Sequence, residues 1–431
     1  MKNPIRHLYT FLFYLLLPLL YLRLLFRSQY QPAYRQNIRE RFGYGPVKFE
    51  KCLWVHTVSM GEAIAASPLI RALITHYPTL PIVVTTMTPT GRARVKTMLG
   101  DTVTTLYLPY DLPCFIKKFI DAIHPIAGII METELWPNLL NTCQNTAIPV
   151  CLINARLSEK SMRGYQRIQP LTRNMLQQID QIAAGSKADA KRLIALGANK
   201  ERIIVTGNIK FDLQINDATI TQGERLRQPL GNETFVWIAA STHSGEDEII
   251  LAAHKKLLAL HSKSCLILVP RHPDRFESVF ALCEKEFTTT RRSKNIPITA
   301  NTQVLLGDTM GELLSMYMAA DVAFVGGSLI PHGGHNFIEP AALSKPILTG
   351  PHIFNFADVG QRLAAQHALL FVKDAETLFA TLQQLQTHPD EQKQMGARAL
   401  AVANENRGAL EKQLGMVYQI VERADHQTAN A

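Results

Sequence analysis

Seven short apolar runs recur between residues 53 and 208, each followed by a stretch of helical character. This alternation limits the possible folds more than any other feature of the chain. The runs are "LWVHTV" (53–58), "PIVVTTM" (81–87), "VTTLYLP" (103–109), "IAGIIM" (126–131), "IPVCLIN" (148–154), "QIAAGS" (181–186) and "RIIVTGN" (202–208). Continuous apolar strands are buried on both faces, and the helices between them supply the crossovers. The pattern therefore predicts an α/β fold with a parallel sheet of doubly wound type. It resumes at "TFVWIAA" (234–240), "SCLILVP" (264–270), "QVLLGD" (303–308), "DVAFVGG" (321–327) and "KPILTG" (345–350). Between the two series, "LQINDATITQGERLRQPLGNE" (213–233) is polar and weakly patterned, and reads as an interdomain connection. The expected domains are 29–212 and 234–431, each a doubly wound α/β unit.

Residues 1–28 stand apart. "LYTFLFYLLLPLLYL" (Leu8 to Leu22) is almost wholly apolar, with Lys2 and Arg6 before it and Arg23 and Arg27 after it. Its length is close to the roughly 20 residues a membrane helix needs. Pro18 and Arg23 make it marginal, and the basic, aromatic sequence that follows lacks the small-residue cleavage site of a signal peptide. The expectation is an uncleaved membrane anchor or deeply inserted helix. Arg23, Arg27, Arg35, Arg39 and Arg41 outweigh Lys2 and Arg6, which places the bulk of the chain on the cytoplasmic side.

The chain of 431 residues is 47% hydrophobic, enough for two sizeable cores, and carries a net charge of +9 from 45 basic and 36 acidic residues. That excess suits anionic partners such as phosphorylated substrates or an anionic membrane surface. No dense Lys/Arg tract or RNA-binding signature occurs, so no nucleic-acid partner is expected. Cys52, Cys114, Cys143, Cys151, Cys265 and Cys283 are scattered, without a C-x-x-C. A reducing compartment and no structural zinc follow.

Chemistry-bearing residues gather after the strand-like runs. In the first unit, Glu62 ends "HTVSMGE" at a helix start, and "METELWPN" (131–138) holds Glu132 and Glu134. A general base must reach a substrate hydroxyl with a suitable proton affinity. The helix dipole would keep Glu62 ionised but make it a weaker base, and a first-turn carboxylate also stabilises a helix with no catalytic role. Glu132 and Glu134 are read with opposite facings, so one of them is expected in a cleft. Lys210, in "TGNIKFD" (206–212), follows the last run of this unit.

In the second unit, "VPRHPDR" (269–275) offers Arg271 and His272 for a phosphate or carboxylate. "GDTMGELLSMY" (307–317) places Met310, Gly311 and Glu312 at a helix start. "GGSLIPHGGHNFIEPAALSKPILTG" (326–350) has the glycine pairs Gly326-Gly327 and Gly333-Gly334, which permit close backbone approach. Asn336 and Glu339 share one face of the helix turn that follows, where a phosphate would be favoured and Glu339 would suit a ribose diol. The same two residues also read as a helix cap with its third-position partner. No G-x-x-x-x-G-K-[ST] loop and no convincing D-x-D metal pair occurs, so phosphate charge is expected to meet cations and helix ends.

Taken together, "HTVSMGE", "METELWPN", "TGNIKFD", "STHSGED", "PRHPDRF", "GDTMGEL" and "GGSLIPHGGHNFIEPAAL" resemble the motifs of the Kdo (3-deoxy-D-manno-octulosonic acid) transferases of Gram-negative bacteria. The resemblance implies a GT-B fold: two Rossmann-like domains facing across a cleft, with the acceptor on the first and the nucleotide sugar on the second. It implies CMP-Kdo as donor, lipid IVA as acceptor, and a place at the inner face of the inner membrane. Glu62 matches the family's catalytic base, and Glu132 and Lys210 match residues that support the transition state. The CMP contacts fall on Pro270 and Arg271, with His272 beside them, on Met310, Gly311 and Glu312, and on Asn336, Phe337, Ile338 and Glu339. The reaction would be an inverting single displacement with CMP leaving, and no cofactor or bound metal is expected. Two other classes share parts of the pattern: another GT-B enzyme, either a UDP-sugar transferase or a nucleotide-sugar epimerase, and a non-catalytic membrane-bound nucleotide-sugar binder.

Overall fold

The structure, a computed structural model, describes residues 4–44, 47–213, 215–294, 297–405 and 407–429. It divides into two compact units: the chain up to Asp212 joined by the C-terminal helix Ala409–Ala429, and Leu213–Glu405.

The first unit is built on β1 (Cys52–His56), β2 (Ile82–Thr86), β3 (Thr104–Tyr107), β4 (Pro125–Met131), β5 (Val150–Ala155), β6 (Gln181–Ala184) and β7 (Ile203–Val205). They pair in parallel in the order β3-β2-β1-β4-β5-β6-β7, so each of the seven apolar runs supplies one strand. Strand alternation divides the core between the two faces of the sheet. Cys52 and Trp54 of β1 join one apolar cluster, and Leu53 and Val55 join the other.

The second unit carries β8 (Phe235–Thr242), β9 (Ser264–Pro270), β10 (Thr289–Arg291), β11 (Val304–Leu306), β12 (Val322–Val325), β13 (Ile347–Thr349) and β14 (Leu369–Phe371). The order is β10-β11-β9-β8-β12-β13-β14, again parallel. Phe235 and Trp237 face one cluster, Val236 and Ile238 the other. β10 and β14 are edge strands beyond the five expected.

In the first sheet β1 pairs with both β2 and β4; in the second β8 pairs with both β9 and β12. These are the points where the strand order reverses, and the loops leaving the carboxyl ends of the strands open a crevice there. Every functional loop singled out in the sequence leaves the carboxyl end of a strand.

Two expected boundaries are corrected. The segment 213–233 is not a bare connection: Asp217–Arg227 is a helix of the second unit, with Leu226 and Leu230 in its core. A Cβ on Gly223 would lie 2.5 Å from the Met318 side chain, so glycine lets this helix approach Leu313–Ala319 closely. Nor does all of 234–431 belong to the second unit. Met416, Val417, Ile420 and Val421 form a helical stripe packed into the first sheet's core, beside Leu53 and Ile129. Burying each such side chain contributes about 1.5–3 kcal/mol, which holds the terminal helix to the first sheet.

The N-terminal helix α1 (Pro4–Tyr30) runs two residues past the expected anchor and belongs to the first unit. It is long and apolar enough to cross a membrane.

Candidate active site

Ser59 caps the helix α2 (Met60–His76), accepting from the Glu62 backbone N–H. The Glu62 side chain folds back over this cap, accepting from the Val58 N–H at 2.8 Å and the Ser59 hydroxyl at 2.9 Å. Hydrogen bonds to a charged group contribute roughly 1.5–3 kcal/mol each, so this carboxylate has one well-fixed position. It is 9% exposed. Burial raises its proton affinity, the two hydrogen bonds lower it, Glu132 raises it and Lys210 lowers it, and the net shift is upward. Burial thus outweighs the helix start, and Glu62 is a stronger base than its position alone implied.

The neighbouring strand β4 delivers the other carboxylates. Glu132 sits just past Met131 with φ +56°, a left-handed conformation that a non-glycine residue adopts at some cost. The expectation of opposite facings is corrected: residues two apart along an extended chain share a face, and Glu132 and Glu134 both act electrostatically on Glu62 or feel its charge. Glu134 is pushed up to about 7 by burial first and by the charge of Glu62 second. It accepts from Trp136 Nε1 at 3.1 Å.

Lys210 Nζ donates to Glu132 Oε1 at 2.6 Å, closing a carboxylate–ammonium pair between residues 78 apart in sequence. The loop holding Lys210 is braced from below. Ile209 N–H donates to Asn154 Oδ1, and Asn154 N–H donates to Gln413 Oε1. Gln413 Nε2 in turn donates to Thr206 Oγ1 and to the Gly207 carbonyl. Asp212 accepts from the Gly408 and Leu410 N–H groups, so the terminal helix fixes both flanks of the loop. His56, the first residue of "HTVSMGE", is wholly buried and held down to about 3 by burial, a neutral core residue.

The second unit uses its own carboxylate differently. Glu246 is fully buried and accepts from four backbone N–H groups: His243 (2.9 Å), Gly327 (2.7 Å), Ser328 (3.0 Å) and Leu329 (3.0 Å). The amides of Gly327, Ser328 and Leu329 are thus committed to an internal carboxylate, and Gly326 N–H to the Ala240 carbonyl, so none of them is available to a phosphate. Gly327, Gly333 and Gly334 all have positive φ, which the loop needs to turn over this carboxylate. Beside it four imidazoles cluster. His243 Nε2 lies 2.9 Å from His335 Nε2, His243 stacks on His332 at 4.3 Å, and His272 meets His243 edge-on at 5.5 Å. Burial lowers His243 and takes His335 down to about 4, so both are neutral at physiological pH. Among the described residues, no group of three or more His, Cys, Asp or Glu is arranged to hold a metal.

The remaining sequence-derived positions divide into exposed and committed groups. Arg271 and His272 are exposed just past Pro270, the last residue of β9, and Arg271 acts electrostatically on Glu339. Asn336 Oδ1 accepts from the Ile338 N–H, and its amide donates to Glu339 Oε1 at 3.2 Å. Asn336 therefore closes a turn just ahead of the five-residue helix Ile338–Ala342, whose N-cap position is Phe337, while positioning Glu339, whose proton affinity burial raises. Phe337 and Ile338 are fully buried, so neither presents its side chain to a ligand. Met310 is 70% exposed and Gly311 has φ +85° with open space around it. Glu312 is engaged by Arg292, Thr309 and Gln222. Sequence reasoning singled out His272 but passed over Glu246, His243, His332 and His335; their one signal was their place in motifs that follow strands.

Comparison with known proteins identifies the family. Residues 36–213 match the family described as 3-deoxy-D-manno-octulosonic-acid transferase (kdotransferase). A 3-deoxy-D-manno-octulosonic acid transferase from Haemophilus influenzae is 44% identical over 97% of this chain and 99% of its own. Another from Bordetella pertussis is 35% identical over 86% of this chain and 87% of its own. Among solved structures, a UDP-GlcNAc 2-epimerase from Neisseria meningitidis covers 86% of this chain and all of its own, with 14% identity and a TM-score of 0.53. That likeness is one of fold, and with the two parallel sheets it places the chain among GT-B type proteins with two Rossmann-like units. The relatives supply the chemistry: the chain belongs to the 3-deoxy-D-manno-octulosonic acid transferase family of glycosyltransferases.

Proposed function

We propose that the chain transfers Kdo from CMP-Kdo to lipid IVA, with Glu62 as the general base of an inverting single displacement. The observation that carries this reading is the convergence of Glu62, Glu132, Glu134 and Lys210 at the switch point of the first sheet. An acceptor hydroxyl beside Glu62 gives its proton to the carboxylate as its oxygen attacks the Kdo anomeric carbon. The bond to the CMP phosphate breaks in the same step, which inverts the centre. Glu134, holding its proton up to about 7, keeps a full negative charge from accumulating beside the base. Lys210, oriented by Glu132, supplies positive charge toward the donor carboxylate or the departing phosphate.

In the second unit Arg271 and the imidazole N–H groups are the donors left for CMP, since Glu246 occupies the glycine-loop amides. Glu339, steadied by Asn336, suits the ribose hydroxyls. No resident cofactor or metal enters this scheme. The N-terminal helix anchors the enzyme at the inner membrane with the two α/β units in the cytoplasm, where a bis-phosphorylated lipid suits the basic surface.

Mass spectrometry of products from CMP-Kdo and purified lipid IVA tests the reading. Addition of one or more Kdo residues supports it. Turnover of UDP-sugars with no Kdo addition identifies a different GT-B activity, and CMP-Kdo binding without any product identifies a binding protein.

A further inference from the structure

We propose that α1 lies in the plane of the membrane surface, half-immersed, and does not cross the bilayer; this rests on the membrane-anchoring reading above. The helix is covered along one stripe for its whole length. Tyr9, Phe13, Leu17, Leu20, Leu24 and Ser28 recur at helical spacing and are half-buried or buried. The opposite side presents Leu8, Leu12, Leu15, Leu19, Leu22 and Phe26, each between 49% and 61% exposed.

The covered stripe is fastened at both ends. At the first turns Arg6 and Thr10 each donate to Asn138 Oδ1 at 3.0 Å. Asn138 is in turn held by Asp111, which accepts from the Asn138 and Leu139 N–H groups and is 3% exposed. In the middle the Phe13 ring meets Tyr110, and Tyr21 meets Phe42. At the last turn Arg35 Nε donates to Ser28 Oγ at 2.9 Å.

A helix that crosses needs about 20 residues surrounded by hydrocarbon. Here, crossing would either carry Asp111 and Asn138 into the lipid or strip the helix from them and from Tyr110 and Phe42. Lying flat costs neither. The exposed apolar side enters the headgroup–acyl boundary while the docked side keeps its polar partners. The exposed Arg23, Arg27, Arg35 and Arg39 at the far end of the helix complement a bilayer with anionic headgroups.

The placement has a consequence for the acceptor. Asn138 closes "METELWPN", so α1 is tied to the loop that carries Glu132 and Glu134. The membrane surface is thereby fixed relative to the carboxylates, and a lipid-borne acceptor meets them without leaving its leaflet.

The full chain carrying Leu8→Cys, Leu15→Cys or Leu22→Cys, in a background with the one exposed cysteine removed (Cys114→Ser), is spin-labelled and bound to vesicles containing anionic phospholipid. Depth is read from relaxation by oxygen against a water-soluble nickel complex. The three positions share one face at seven-residue intervals, so an in-plane helix gives three equal, shallow depths. A crossing helix places Leu15 deeper than both others by about 10 Å, from the 1.5 Å rise per residue, and that result overturns the proposal. Failure of the chain to bind vesicles at all overturns the anchoring reading itself, a separate outcome.

Discussion

Glu62 in the first unit and Glu246 in the second both follow a strand at the switch point of a parallel sheet. Glu246 is spent on four backbone N–H groups and is fully buried. Glu62 accepts two hydrogen bonds and keeps 9% of its surface open, and burial leaves it avid for a proton. The number of donors thus separates a carboxylate that holds a loop from one that is fixed yet free to take a proton. The surroundings follow suit: the first unit gathers three carboxylates and one ammonium, the second an arginine, imidazoles and a loop shaped by glycines.

This contrast is open to direct attack. After loss of the Glu62 carboxylate itself, the largest effect is expected from Lys210→Met, which removes the cation and leaves Glu132 without its partner. Transfer should fall by about 10²–10³-fold, as for other lost electrostatic donors, with CMP affinity unchanged in a binding titration. Loss of CMP affinity would move Lys210's role to the donor site.

Ile420→Ala tests whether the terminal helix is part of the first unit. It should destabilise that unit by about 2–5 kcal/mol, read as an earlier unfolding transition, while CMP binding at low temperature persists. Glu246→Ala should act on the second unit, leaving the Gly327, Ser328 and Leu329 amides unpaired at roughly 1–3 kcal/mol each. CMP affinity should drop by more than about tenfold; unchanged affinity would mean the loop holds its shape without the carboxylate.

The smallest effect is in the pH profile. A base at Glu62 would act only when deprotonated, so kcat/KM should fall as pH drops through its raised pKa. Glu132 raises that value and Lys210 lowers it. Glu132→Gln should therefore move the acid limb to lower pH, and Lys210→Met to higher pH. Shifts in the same direction would contradict the electrostatic arrangement.

Both sheets were legible in the sequence because most of their strands are buried on two faces and read as apolar runs, though β7 is partly exposed. β10 and β14 were not legible: β10 is Thr-Thr-Arg, with no apolar run, and Phe371 of β14 is half exposed. The helix Asp217–Arg227 left little pattern because its close contact is made by Gly223, a residue without a side chain. The stripe at 416–421 announces a packed helix but cannot say which sheet it packs on, and neighbourhood in sequence pointed to the wrong one. At the sites, the residue types were legible and their commitments were not. The positive φ of Glu132 and the 81-residue reach from Glu246 to Gly327 arise only when the fold brings those loops together.

The central claim, that a fixed, proton-avid Glu62 is the base of a family whose donor is held elsewhere, is tested most directly by Glu62→Gln. Transfer from CMP-Kdo and binding of CMP are measured on the same purified variant. The account predicts that transfer falls by about 10²–10⁴-fold while CMP affinity stays unchanged. Retained turnover, or a loss of CMP binding that matches the loss of transfer, would contradict it.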